Sequence, residues 1–120
     1  MSAGRLVDYI DRMQAAAEQA RMLTDDMELH DFLSDVRTQL AVTMSLVLLG
    51  EAAARIAADD PDFLRDHAEI PWSKIRGMRN LMVHDYYRAD LTAIWSTVRS
   101  DLETLISQLD SLRHWRIQGE

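Results

Sequence analysis

Residues 40–49 read LAVTMSLVLL and form the longest apolar run in the chain, interrupted only by Thr43 and Ser45. A helix formed by this run is apolar on almost all sides, so in a small domain it must bury two faces. We therefore expect one face to lie in the core and the other to contact a partner. The run is too short to span a bilayer.

Apolar residues also recur at helical spacing before and after this run. Residues 4–23 place them at steps of three and four, which predicts an amphipathic helix. Asp25 and Glu28 resemble a capping pair and open a second helical region, which continues to about residue 58 with a break near residues 30–34. The C-terminal part carries an unbroken heptad pattern, which predicts a final helix. Its members are Leu91, Trp95, Val98, Leu102, Leu105, Leu109 and Leu112.

Aspartate and proline residues mark the remaining helix boundaries. Asp60 is followed by a proline and predicts a short helix over residues 62–67, because aspartate is a favoured N-cap and proline fits the first turn. Pro71 predicts a helix over residues 72–86 in the same way, and Asp90 is expected to cap the final helix.

The predicted helices follow one another through short connections, and no stretch alternates in the manner of a half-buried strand. The sequence therefore predicts an all-α, antiparallel bundle of four or five helices, in a single domain over residues 1–120. The absence of cysteine excludes disulfides, thiolate zinc sites and thiol nucleophiles. Residues 1–14 carry charged side chains that argue against a signal peptide, so a cytoplasmic location is expected.

The charge of the chain limits how it can meet nucleic acid. The net charge of −7 argues against a protein that coats nucleic acid by bulk electrostatics, so any contact with RNA must be local. Residues 72–88 offer such a location, with four basic side chains and one acidic side chain. Taken alone, a cluster of this kind is more often a solvated helix face than a binding site.

Motifs for metals and cofactors are missing from the sequence. No glutamate is followed by a histidine three positions later, and no two histidines lie four positions apart. The spacing of a carboxylate-bridged metal bundle and that of a helical zinc motif are therefore both absent. The four glycines are scattered, which argues against a phosphate-binding loop. We expect no metal site and no cofactor.

Arg79, His84 and Tyr86 are the residues best suited to chemistry. Arginine presents a planar fork of donors that matches a phosphate, and histidine exchanges a proton near neutral pH. A tyrosine hydroxyl can donate a hydrogen bond to a phosphate oxygen. Together these groups are capable of cleaving RNA without a metal ion.

The spacing of the three residues restricts how they can act. On a continuous helix Tyr86 shares a face with Arg79, whereas His84 is turned by about 140° from Arg79. The neighbouring Tyr87 is turned by about 100° from Tyr86. Either the helix ends near His84, or a second surface such as the other protomer of a dimer completes the site. The structural alternative is that Arg79 pairs with an acidic residue while His84 and Tyr86 only finish the helix.

The sequence also resembles a known family. Arginine, four residues, histidine, one residue and tyrosine is the signature of HepT-like HEPN proteins, and Arg79, His84 and Tyr86 match it completely. The resemblance extends over about residues 6–109. Further matching features are Gly50-Glu51-Ala52, Ile70-Pro71-Trp72, Asn80, and Trp95 after Asp90-Leu91.

The resemblance implies a helical homodimer that acts as the ribonuclease toxin of a toxin–antitoxin pair. Its partner would be a minimal nucleotidyltransferase antitoxin that adenylylates Tyr86, which would also position the RNA substrate. Arg79 would stabilise charge on the scissile phosphate of the RNA, and His84 would be the general acid or base. Asn80 would support the site through hydrogen bonds. Asp85 stands where similar proteins often have glycine, and a carboxylate beside the histidine can repel RNA, so this departure leaves the strength of catalysis open but not the fold.

Two other interpretations remain open from the sequence. The first is a non-catalytic HEPN dimer that binds nucleotide or a partner nucleotidyltransferase. The second is a structural helical adaptor, in which substitutions of Arg79 and His84 would change only stability. Glu51 is interpreted as a surface or interhelical residue rather than as a catalytic one.

Overall fold

The computed structural model describes the backbone of residues 3–119 and the side chains of residues 4–113. This part of the chain consists of helices joined by short turns, and no strand occurs within it. The predicted all-α bundle is therefore confirmed. The helices are α1 (Ala3–Leu23), α2 (Leu29–Leu33), α3 (Val36–Asp59), α4 (Pro61–Asp66), α5 (Trp72–His84), α6 (Leu91–Ser96) and α7 (Leu102–Gly119).

Helix α3 lies at the centre of the bundle. It packs against α1 on one side and α5 on the other, while α1 also contacts α7. Only one face of the apolar run is buried, and the opposite face is exposed at Leu40, Met44 and Leu48. The core is built mainly from aliphatic side chains, among them Ile10, Met13, Val42, Leu46, Leu49, Ile56, Val98 and Leu109.

The apolar character of α3 follows from this position. Within the described residues it is the one helix that is long and apolar enough to cross a membrane. Length and composition are weak evidence for a membrane span, because the core helix of a soluble bundle has the same properties. The buried face of α3 packs against two neighbouring helices, as expected for such a core helix.

Two of the predicted helix starts are confirmed by side-chain hydrogen bonds. The carboxylate of Asp60 accepts a bond of 3.2 Å from the backbone N–H of Phe63 at the start of α4. The carboxylate of Asp90 accepts bonds of 2.9 Å and 3.4 Å from the N–H groups of Thr92 and Ala93 at the start of α6. Each cap binds N–H groups that have no partner inside the helix.

The start of the second helical region differs from the prediction. The capping pair is formed by Glu28 and Asp31 at α2, so the expected pair of Asp25 and Glu28 was wrong. The break before α3 is confirmed, and Asp35 caps that helix. Hydrogen bonds from the side chain and backbone of Thr38 lower the pKa of the Asp35 carboxyl, because they favour its charged form.

The final helix also differs in one respect. A π-helical segment, Thr97–Asp101, joins α6 to α7, so the helix over the heptad pattern is not regular throughout. Arg21 at the end of α1 donates hydrogen bonds of 3.0 Å and 2.7 Å to the carbonyl oxygens of Val98 and Arg99 in this segment. Heptad spacing did not reveal the π-helical segment, because the contact with Arg21 joins parts of the chain that are far apart in sequence.

Candidate active site

Arg79 lies where α5 approaches α3 very closely. A Cβ atom placed on Gly50 of α3 would overlap the Cβ of Arg79 and lie 3.2 Å from the carbonyl oxygen of Ile75. The contact therefore requires a residue without a side chain at position 50. As a result, the stem of Arg79 lies against the backbone of α3, and the side chain is half-buried.

Two side chains hold the guanidinium of Arg79. Its Nε donates a hydrogen bond of 2.9 Å to Oε1 of Glu51, and its Nη2 donates to the same oxygen. Its Nη1 donates a bond of 2.9 Å to Oδ1 of Asn80, the residue expected to support the site. Three of the five N–H bonds of the guanidinium are thus used, and two remain for another acceptor.

This ion pair bears on the structural alternative for Arg79. The arginine does pair with an acidic residue, as that alternative assumed. The pair is only partly buried, with 27% of the Arg79 side chain and 41% of the Glu51 side chain exposed. A guanidinium that is held on one edge and open on another presents its remaining donors in a fixed orientation. The pairing is therefore compatible with phosphate binding as well as with a structural role.

His84 is the last residue of α5. The helix thus ends at His84, the alternative to an end near residue 86, because Asp85 leaves the helical conformation, with φ −156° and ψ 60°. His84 is exposed, and on the helix it is turned by about 140° from Arg79. No hydrogen bond joins it to Arg79 among the described side chains. The imidazole and the guanidinium are therefore not joined by a direct hydrogen bond within one chain.

The two tyrosines lie in a short 3₁₀ turn, Tyr86–Arg88, that follows Asp85. The prediction that Tyr86 lies on the Arg79 face of a continuous helix was wrong, because that helix does not reach it. Tyr86 is half-buried, whereas Tyr87 is 98% exposed, and their ring centroids are 6.2 Å apart.

Asp85 has a cationic neighbour within the same turn. One of its carboxylate oxygens lies 3.6 Å from Nη1 of Arg88, three residues later. This exposed pair reduces the negative charge that Asp85 presents beside His84.

Comparisons with known proteins identify the family. A family model described as "Ribonuclease HepT-like" matches residues 13–112 of the chain. The chain belongs to this family. The expected HepT-like HEPN assignment and the expected ribonuclease activity are thus confirmed.

Individual relatives of this HepT-like ribonuclease agree with the family match. A protein of Thermococcus cleftensis named "Probable ribonuclease HepT" is 36% identical over 106 residues, which cover 88% of this chain and 94% of the relative. "Putative RNase MJ0127" of Methanocaldococcus jannaschii is 27% identical over 107 residues, 89% of this chain and 83% of the relative. A third protein, from Caldanaerobacter subterraneus, is named "Putative RNase TTE0752". It is 28% identical over 104 residues, which cover 87% of this chain and 90% of the relative. No solved structure matches the chain.

Glu51 is the specific partner of the motif arginine in this HepT-like chain, a pairing that the sequence did not indicate. Glu51 was interpreted only as a surface or interhelical residue, and the structure shows it as the interhelical partner of Arg79. The available signal was Gly50, a glycine in the interior of an apolar helix with a glutamate directly after it. Glycine at such a position often marks the close approach of another backbone or side chain.

Proposed function

We propose that this HepT-like ribonuclease is an RNA endonuclease that cleaves without a metal ion, using Arg79, His84 and Tyr86. The observation that carries the proposal is the guanidinium of Arg79, which is oriented by Glu51 and Asn80 and keeps two N–H bonds for a phosphate. His84 is exposed at the end of the same helix and is accessible to RNA. The residue types supply charge stabilisation and proton transfer, which are the two needs of this reaction.

The proposed reaction begins with attack by the ribose 2′-oxygen on the adjacent phosphorus. A bond forms between phosphorus and the 2′-oxygen, while the bond between phosphorus and the 5′-oxygen breaks. The 2′-hydroxyl loses its proton, and the leaving 5′-oxygen gains one. His84 serves as the general base or general acid in these transfers, and Arg79 stabilises the charge on the phosphate oxygens. The products are a 2′,3′-cyclic phosphate and a 5′-hydroxyl end.

The first prediction is that RNA cleavage persists in EDTA and depends on His84. His84→Ala should lower kcat by roughly 100-fold or more, the usual contribution of a general acid or base. His30→Ala is the matched control, because His30 is also an exposed histidine on a helix. The measurement is cleavage of a labelled RNA in EDTA, with analysis of the product ends.

Two outcomes would contradict the proposed chemistry. One is loss of cleavage on chelation that magnesium or manganese restores. The other is native protein that binds RNA without cutting it, which would favour the non-catalytic HEPN dimer.

The exposed face of α3 supports a homodimer. We define the apolar stripe as Val36, Leu40, Met44 and Leu48, four residues at steps of four that are each about half exposed or more. Glu51, the partner of Arg79, follows the stripe on the same side of the helix. A second copy that covers the stripe would therefore lie beside Arg79 and could bring its own His84 to the site.

The second prediction is that the native protein is a dimer and that Met44→Glu makes it a monomer. A charge in the middle of the apolar stripe would lose its hydration in the interface, and we expect the Kd of the dimer to rise at least about 100-fold. Met22→Glu is the control, because Met22 is exposed on α1 outside the stripe. Light scattering at micromolar concentration is the measurement, and either a monomeric native protein or a dimeric Met44→Glu variant would refute the prediction.

We further propose that the protein is the toxin of a cytoplasmic toxin–antitoxin pair. The partner would be a minimal nucleotidyltransferase, whose action on Tyr86 adds an adenylyl group. The phenol oxygen attacks the α-phosphorus of ATP and pyrophosphate leaves, while the phenol proton passes to solvent. An anionic adenylyl group near the site would compete with RNA phosphate for the two remaining N–H bonds of Arg79.

The third prediction is that the antitoxin modifies Tyr86 and not Tyr87. Tyr86 occupies the tyrosine position of the motif, whereas Tyr87 has the greater exposure, so the two hypotheses are distinct. Tyr86→Phe should abolish the gain of an adenylyl group in intact-mass spectrometry after incubation with ATP, magnesium and the partner. Tyr87→Phe should leave this gain unchanged. The opposite pattern would assign the modification to Tyr87, and no gain in the native protein would refute modification altogether.

A further inference from the structure

A cleft between α1 and α3 adjoins the pair formed by Arg79 and Glu51. Its volume is about 460 Å³, and Arg12 of α1 and Arg55 of α3 are among the residues that line it. Glu51 lines the same cleft and also binds the guanidinium of Arg79. The side chain of Glu51 therefore belongs both to the cleft and to the candidate active site.

The two arginines of the cleft differ from most arginines of this acidic protein. Seven arginines, Arg79 among them, form ion pairs with carboxylates. Among the described residues neither Arg12 nor Arg55 has such a partner, and the guanidinium of Arg12 lies 5.4 Å from the ring centroid of Tyr9. Their N–H donors are thus available to an anion, and the guanidinium fork is well matched to phosphate.

The arrangement of the cleft suits an extended anionic chain. Arg55 lies one helical turn after Glu51 on the same side of α3, about 6 Å along the helix axis. The distance between neighbouring phosphates of an RNA strand is similar to this distance along the helix axis. The floor includes the small side chains of Ala16 and Ala52, which leave room for a ribose or base between two phosphate contacts.

We propose that Arg12 and Arg55 bind a phosphate of the RNA strand next to the phosphate held by Arg79. The proposal rests on the function proposed above for Arg79, and it adds a second contact along the same strand. In a protein of net charge −7, unpaired arginines beside the active site provide the local attraction that bulk charge does not. The strand would then cross α3 at Glu51, with one phosphate on either side of this carboxylate.

The fourth prediction concerns the binding of a hexanucleotide RNA with 2′-O-methyl riboses, which lacks the attacking hydroxyl and stays intact. The double variant Arg12→Ala, Arg55→Ala should raise its Kd by about tenfold, the loss expected for a charge-assisted contact. The slope of log Kd against log salt concentration should fall by about 0.7, the value for one phosphate of a single strand. In the double variant, the Kd values of a dinucleotide and of the hexanucleotide should also lie closer together than they do in the native protein. Fluorescence anisotropy over a series of salt concentrations measures all three quantities.

Matched variants separate this contact from damage to the fold. Arg37→Ala removes an exposed arginine that lies about 27 Å from Arg55 along α3. This variant should change neither the Kd nor the salt slope. The double variant Arg12→Lys, Arg55→Lys keeps both charges and should keep the salt slope. Binding by the alanine double variant that equals that of Arg37→Ala would overturn the proposal, as would weaker binding with an unchanged slope.

The same assay distinguishes failure of this proposal from failure of the proposed function. The RNA cannot be cleaved, so the result does not depend on the catalytic role of His84. If Arg79→Ala binds RNA normally while the cleft variant does not, the role of Arg79 fails and the cleft remains a phosphate site. If the reverse holds, Arg79 keeps its role and the cleft proposal is refuted.

Discussion

The close contact between α3 and α5 at Gly50 is the constraint on which the candidate site depends. Because residue 50 has no side chain, the stem of Arg79 can lie directly against the backbone of α3. This position brings the guanidinium to Glu51, the next residue of α3, which binds it through two N–H groups. The arginine is therefore oriented by the packing of two core helices rather than by a loop. A cation held in this way needs little reorganisation to bind an anion.

The same face of α3 carries the features from which we infer function. The apolar stripe leads toward Glu51, so a second copy bound to the stripe would approach Arg79. The cleft with Arg12 and Arg55 is lined by the same carboxylate and also by Leu48, the last residue of the stripe. We propose that this acidic protein binds RNA locally on this face, where Arg12 and Arg55 lack the carboxylate partners that seven other arginines have.

Much of the fold could be predicted from the sequence, because apolar spacing and helix caps are local signals. The caps at Asp60 and Asp90 were predicted correctly for this reason. The end of α5 at His84 was only one of two possibilities, since Asp85 leaves the helix without a proline or glycine to indicate it. Nor could the spacing reveal that Arg79 pairs with Glu51, because the two residues are 28 positions apart and meet only through helix packing. The motif residues were singled out by the chemistry of their side chains, and the resemblance to the family then supplied their roles.

The most direct test of this account is to compare Gly50→Ala with Gly77→Ala in unfolding and RNA cleavage. A methyl group at residue 50 would overlap the stem of Arg79, whereas one at residue 77 meets nothing within 4 Å. We expect Gly50→Ala to lower the free energy of unfolding by about 1–3 kcal/mol and to reduce kcat/KM. Gly77→Ala should raise the free energy of unfolding by roughly 0.5–1 kcal/mol and leave kcat/KM unchanged. If Gly50→Ala is as stable and as active as Gly77→Ala, the helix contact does not position Arg79 and the account is wrong.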